Sequence, residues 1–288
     1  MRDTGYREAL VSYIDILGFG KLIETSAIDP SAIPTILNTL RHLKKQTSEG
    51  GRVIRELENQ RPTSIFRAFS FSDLTVRTTF TDTPSNYIDI LRWEFLYLSS
   101  IQVNLICDLD ILLRGGISIG QISIEPNAAI NDDVLFGPAL VRSYELECKT
   151  AVSPRLVIDP PVIQRAKENP GKLWPEYYRK DEDGEFFLDY LFGAVTDSLL
   201  SFGGKPLGHV ETLQKHKNRI ERKINDLADK NTRIREKLRW LVDYHNGVVR
   251  RLQELHSKGP DPFDVFDYQP PAIPDSVLIA DESVNQVS

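Results

Sequence analysis

The chain has 288 residues, 41% apolar and 26% charged, enough for a substantial core in one large domain or a domain with an accessory element. Its net charge of -6 gives no global attraction for polyanions, so neither nucleic acid nor a membrane surface is expected as a partner. The two cysteines, Cys107 and Cys148, lie outside any Cys-x-x-Cys or Cys/His spacing, which argues against a zinc or dithiol centre and predicts two reduced, buried thiols.

In chain order, the charged start to Glu8 and the early interruption of the next apolar run by Asp15 do not form a signal-peptide pattern. No segment approaches the roughly 18 uninterrupted apolar residues of a membrane span, and a cytoplasmic protein is expected. Ala9 to Leu17 is apolar and β-prone, predicting a buried strand that ends at Gly18-Phe-Gly20 and carries Asp15 inside it. Ile33, Ile36, Leu37 and Leu40 recur at helical spacing and predict a helix over Ser31 to Leu43. The polar stretch Lys44 to Pro62 extends that helix and ends as a loop. Thr63 to Phe71 and Leu74 to Phe80 then read as a hairpin with Ser72-Asp73 at its tip.

Tyr87, Ile88, Leu91, Phe95, Leu98 and Ile101 mark a helix over Pro84 to Asp108, with a polar start at Thr83-Pro-Ser85. Ile111 to Ile124 reads as a strand in which Gly115, Gly116 and Gly120 permit close packing or a bulge. A loop around Asn131-Asp132-Asp133 leads to Phe136-Gly-Pro138, which opens a helix to about Cys148, and Arg155 to Ile158 reads as a further strand. Residues 159–207 read as an irregular connecting region of short helices and loops. His209 to Ser257 reads as a helical hairpin, residues 208–258, broken near Asp229-Lys-Asn231. The Pro- and Asp-rich tail, 259–288, is expected to lie extended over the surface or to be disordered.

Four segments stand in order: Tyr13-Ile-Asp-Ile-Leu-Gly-Phe19, Phe71-Ser-Asp73, Arg114-Gly-Gly-Ile-Ser-Ile-Gly120, and Gly137-Pro-Ala-Leu-Val-Arg-Ser-Tyr-Glu-Leu-Glu147. In this order they resemble the class III nucleotidyl cyclases, over about residues 9–158, and their wording is most similar to the pyrimidine cyclases of Pycsar antiphage systems. The resemblance implies an α/β (α+β) fold, a mostly antiparallel sheet flanked by helices, with residues 1–158 as the catalytic domain. It implies that Asp15, Asp73 and the carbonyl of Ile16 bind two Mn2+ or Mg2+ ions. Such hard ions suit oxygen donors, and two carboxylates on adjacent strands repel one another without a cation. The turn of Leu17, Gly18 and Phe19 would offer backbone N–H groups to the β- and γ-phosphates, with Lys21 adding charge.

The chain departs from the purine cyclases of that family where they read the base with a Lys and an Asp, because Phe69 and Val134 stand there. Loss of both polar handles points to a changed substrate, and the resemblance implies a pyrimidine one, UTP or CTP, with UTP favoured because most cyclases of that type make cUMP. The family's helix Asn and Arg are replaced by Val141 and Glu145, leaving Arg142 or Arg114 to supply a cation to the phosphates. Bland readings stand beside these roles: Asp73 as a turn residue, Arg114 in a strand-edge ion pair, and Arg142 paired with Glu145 or Glu147. The resemblance further implies a head-to-tail homodimer with composite active sites, and a separate effector activated by the cyclic nucleotide product. A purine cyclase with an unfamiliar base pocket and a catalytically silent cyclase-like dimer are the alternatives.

Overall fold

In a computed structural model, which describes residues 5–49, 66–81, 87–127, 132–168, 177–196, 209–226, 232–258 and 270–280, the first apolar run forms strand β1 (Arg7–Ile16). Ala9, Leu10, Val11, Ser12, Ile14 and Ile16 are all buried, as a strand covered on both faces requires, whereas Tyr13 and Asp15 are only half-buried. β1 pairs antiparallel with β3 (Leu74–Phe80) on one side and β4 (Leu113–Asn127) on the other. β2 (Phe66–Phe71) closes the expected hairpin onto β3. Its tip places Ser72 in the left-handed region, at φ 54°.

Sheet order is β2-β3-β1-β4, then β6 (Leu156–Ile158), β8 (Phe186–Leu188) and β7 (Tyr178–Lys180), with β5 (Asp132–Phe136) pairing the far end of β4. β6 (Leu156–Ile158) lies parallel to β4, and the other pairings are antiparallel. The protein is therefore of the mixed α/β class, its sheet flanked by helices. Helix α3 (Tyr87–Leu109) is apolar on nearly every face and accordingly buried. Helix α4 (Pro138–Lys149) approaches β4 so closely that a Cβ on Gly116 would lie 2.2 Å from the Ser143 carbonyl oxygen. Glycine is required there by contact.

Four features differ from the sequence-based expectation. Helix α1 (Phe19–Ile28) follows β1 directly and precedes α2 (Ile33–Glu49). It was hidden because Gly18 caps it through a left-handed backbone, φ 84°, with no side-chain cap, and because Leu22, Ile23 and Ile28 are exposed. Residues Asp132 and Asp133 belong to β5, not to a loop. β7 (Tyr178–Lys180) and β8 (Phe186–Leu188) extend the sheet beyond Ile158, and with α5 (Pro160–Lys167) they give the connecting region regular structure. Cys107 is buried as expected, but Cys148 is exposed.

The chain divides into two units: Met1–Tyr97 with Leu112–Leu188, and Leu98–Ile111 with Asp189–Ser288. The first holds the whole sheet. The second contains the end of α3, α6 (Tyr190–Thr196), α7 (His209–Asn225) and α8 (Thr232–Lys258). Arg219 Nε and Lys223 Nζ on α7 donate to the Cys107 and Asp110 carbonyls, satisfying the C-terminus of α3. In the tail, residues 270–280 run extended around one short 3-10 turn, with Ile273, Val277 and Ile279 buried. Side chains from the helices hold this extended segment: Lys217 donates to the Ser276 and Leu278 carbonyls, His245 to Val277, and Asn246 clasps Ile279. The helix start at 83–85, the hairpin break at 229–231 and the tail at 259–269 and 281–288 lie outside the described residues.

Candidate metal and nucleotide site

The two aspartates meet through strand register. β1 pairs Ile14 with Thr75, and the same antiparallel register carried toward the hairpin tip brings Asp73 across from Ile16. Asp73, half-buried, thus stands diagonally beside Asp15 and opposite the residue whose carbonyl is the third candidate donor. On the other side of β1, Asp15 pairs directly with Arg114 of β4. Arg114 Nε donates to Asp15 Oδ2 at 3.1 Å, and Arg114 Nη2 lies 2.7 Å from Oε1 of Glu147 on α4.

Glu147 is buried, at 3% exposure, and Cys148 Sγ donates to its Oε2 at 3.0 Å. Its Oε1 contact with Arg114 is an ion pair without hydrogen-bond alignment, so that oxygen is close to the guanidinium but receives no directed hydrogen bond. Tyr13 stands edge-on to Tyr144 at 5.5 Å, and its hydroxyl pKa is pushed up to about 12 by burial and by the charges of Glu147 and Asp15. The sequence reading treated Glu147 as a surface partner for Arg142. Its position was signalled by the buried series Ala139, Ser143 and Glu147 at four-residue spacing, which puts the acid on the inward face of α4.

The Asp15 carboxyl is pushed up to about 6, chiefly by burial. Arg114 opposes this, and the charges of Asp73 and Glu147 add to it. Two carboxylates, Asp15 and Glu147, therefore share the Arg114 guanidinium, and Asp73 adds its charge beside Asp15. The donor set of Asp15, Asp73 and the Ile16 carbonyl consists wholly of hard oxygens, and its surplus negative charge fits a divalent cation of the Mg2+ or Mn2+ type. Among the described residues no three His, Cys, Asp or Glu side chains are disposed to hold a metal ion, so a metal here must complete its shell from backbone, water or ligand oxygens.

The turn after β1 meets the phosphate-binding expectation only in part. The Leu17 N–H donates to the Leu112 carbonyl and is already used, while Phe19 and Gly20 lie in the first turn of α1, where N–H groups have no intrahelical acceptor ahead of them. Lys21, largely exposed, pairs with Glu24 at 3.7 Å.

Arg142 is held elsewhere. Its Nε and Nη2 donate to Asp159 Oδ1 at 3.1 and 2.7 Å, and its Nη1 lies 3.9 Å from Glu145. Since the Asp159 N–H bonds the Ile117 carbonyl, this anchor lies three residues along β4 from Arg114, roughly 10 Å of strand. The structure brings Arg114 to Asp15, and ties Arg142 to Asp159. Phe69 is half-buried on β2, packed against the cluster of Ala9, Val11 and Val76, whereas Val134 is exposed on β5. Register links Phe69 through Val76 and Tyr13 to Gly116, but Val134 faces Glu125, roughly 30 Å further along β4.

No protein-family model matches the chain, and no curated protein matches it in sequence. Among solved structures it is similar to the adenylyl cyclase CyaB from P. aeruginosa, at 12% identity and a TM-score of 0.39 over 57% of this chain and 82% of that one. It is also similar to the guanylyl cyclase domain of the RhoGC fusion protein from the aquatic fungus Blastocladiella emersonii, at 12% identity and 0.43, covering 64% and 96%. An adenylate/guanylate cyclase/hydrolase from Silicibacter pomeroyi matches at 19% identity and 0.37, covering 64% and 95%.

Proposed function

We propose that the protein is a divalent-metal-dependent nucleotidyl cyclase that converts a pyrimidine nucleoside triphosphate, UTP in preference to CTP, to its 3′,5′-cyclic monophosphate and pyrophosphate. The observation that carries this reading is the meeting of Asp15 and Asp73 at the ends of adjacent strands, in a pocket with more carboxylate than cationic charge. When bound, Mg2+ or Mn2+ would lower the pKa of the ribose 3′-hydroxyl and neutralise charge on the phosphates.

The protein's own residues do the positioning. Asp15, Asp73 and the Ile16 carbonyl would hold the ions against β1. The N–H groups opening α1 and the ammonium of Lys21 orient the β- and γ-phosphates. No protein nucleophile is needed. The separation of Phe69 from Val134 supports a base pocket shared between two copies of the chain, consistent with a homodimer with composite sites. The wording of the four motifs supports the pyrimidine preference and a cytoplasmic role in antiviral signalling, in which the product activates a separate effector.

One observation favours a second reading, a silent cyclase-like dimer: Glu145, at the position of the family's helix Arg, is engaged with Lys149 at 3.0 Å on the helix surface, and Val141 is exposed. Incubating the protein with each of the four nucleoside triphosphates and Mn2+, followed by chromatography, separates the readings. A cyclic pyrimidine product is expected. A cyclic purine product would reassign the substrate, and absence of any cyclic product would leave the silent dimer.

A further inference from the structure

We infer that Arg114 is the resident counterion of the Asp15–Asp73 pair, and that Glu147 is the carboxylate to which its guanidinium is handed when a divalent cation is taken up. This rests on the metal-site reading above. Its basis is the asymmetry of the Arg114 contacts: the bond to Asp15 is directed and 3.1 Å long, while the 2.7 Å approach to Glu147 Oε1 is not aligned as a hydrogen bond.

Glu147 has no structural need that Arg114 already meets in full. It is a nearly fully buried carboxylate at the end of an inward helix face, with Cys148 donating to one oxygen and the other awaiting a directed donor. A buried acid of this kind is costly unless it gains a cation. Without metal the guanidinium serves two acids and satisfies only Asp15 with a directed bond. Once a divalent ion supplies the charge at Asp15, the fork can turn wholly to Glu147, since guanidinium geometry allows one or two carboxylates to be engaged with little movement. Two costs thereby cancel: the charge on Asp15 is met by the ion, and the burial of Glu147 is met by Arg114. Arg114 is in this sense a positioning residue for the metal site, and Glu147 acts only through it.

The test is a double-mutant cycle on Mn2+ affinity, read by electron paramagnetic resonance without nucleotide, in the full-length wild type, R114Q, E147Q and R114Q/E147Q, with folding checked by circular dichroism. R114Q is expected to tighten Mn2+ binding on the order of tenfold and E147Q to weaken it on the order of tenfold. In the R114Q background E147Q should change affinity by less than about twofold, because its route of action is gone. Equal weakening by E147Q in both backgrounds means Glu147 acts through its own charge, and overturns the handover. In parallel, the Arg114 Nε–H resonance, identified by its loss in R114Q, should shift on Mg2+ titration, and an unmoved resonance is equally fatal. D15N separates this failure from failure of the site itself. If Mn2+ binding is lost in D15N but the cycle is additive, only the handover falls. If D15N binds Mn2+ as the wild type does, or no variant binds it, the metal site falls too.

Discussion

Two polar clusters, one in each unit, use similar residue types to opposite ends. In the second unit Asp189 is fully buried and accepts from the Tyr244 hydroxyl at 2.8 Å and from Arg251 at 3.3 Å. Beside it runs a directed chain. The Val277 carbonyl can only accept, so His245 carries its proton on Nε2. Its Nδ1 then accepts from His216 Nδ1, 3.0 Å away, and His216 Nε2 accepts from the Tyr190 hydroxyl at 2.8 Å. These bonds close the network without any added ion. At the end of β1, by contrast, two carboxylates share one guanidinium, one buried oxygen lacks a directed donor, and Asp15 and Arg114 remain partly open to solvent. Buried polar groups that satisfy one another make structure, whereas a half-satisfied set at the surface is where a ligand's charge can be used.

The sharpest way to break this contrast is to remove an acid from each cluster. On the proposed function, in which Asp73 is a metal ligand, Asp73→Ala should lower cyclase turnover on the order of a thousandfold, since loss of such a ligand forfeits several kcal/mol of transition-state stabilisation. Its melting temperature should be unchanged, because a hairpin tip contributes little packing. Asp189→Ala should do the reverse. It removes the buried acceptor of the Tyr244 hydroxyl and the carboxylate partner of the partly exposed Arg251, and should cost about 2 kcal/mol in urea unfolding of the second unit. A catalytic loss from Asp189→Ala at a temperature where the protein remains folded, or a stability loss of that size from Asp73→Ala, would erase the distinction.

The pH dependence should differ in sign. Burial pushes His245 down from its ordinary 6.5 to about 4, and burial together with His245 pushes His216 well down. Between about pH 4 and 6.5 the unfolded chain holds a proton at His245 that the folded chain refuses. Its stabilisation is therefore complete above about pH 6.5 and is lost as pH falls, at about 1.4 kcal/mol per pH unit for each buried histidine. Asp15 runs the other way. Raised from 3.8 to about 6, it keeps in the folded state a proton that the unfolded chain releases, so its contribution is favourable at low pH and is lost as pH rises through that window. Solvent screening makes its slope the smaller of the two. Hydrogen exchange resolved by segment from pH 4 to 6.5 should show the second unit losing protection toward acid, and Asp15→Asn should remove the opposing trend around β1.

The contrast also explains what the sequence made legible. β1, the β2–β3 hairpin, α3, β4 and α4 could be read because their apolar periodicity is local and long, and Asp15 and Asp73 stood out against it. β5, β7 and β8 are three to five residues each; β5 pairs with β4, β8 with β6, and β7 with β8, and the partners β4 and β6 lie in separate stretches of chain. Glu147 was legible only on a helix whose inward face was already known. Phe69 and Val134 were picked out by motif alone, and the register that sets Val134 opposite Glu125, nine residues along β4 from the level of Phe69, is a matter of pairing that no local window contains. The extended form of residues 270–280 suits the Pro- and Asp-rich composition, but the helix side chains that bind its backbone could not be read from it.

That last point carries the smallest expected effect. The Asn246 amide both donates to the Ile279 carbonyl, at 3.1 Å, and accepts from the Ile279 N–H, at 2.9 Å. Asn246→Ala removes both bonds, at about 1 kcal/mol each, yet leaves Lys217 and His245 on the carbonyls of Ser276, Leu278 and Val277. The segment should stay docked but open more often, with exchange at residues 277–280 rising roughly thirtyfold and the rest of the second unit little affected. Asn246→Asp keeps the acceptor alone and should give about half the free-energy change. If exchange there does not rise in either variant, burial of Val277 and Ile279 holds the segment and the amide clasp only sets its register. The second unit would then owe its order at that edge to apolar contact, and the division between a self-satisfied polar network and an unsatisfied one would stop at the histidine chain.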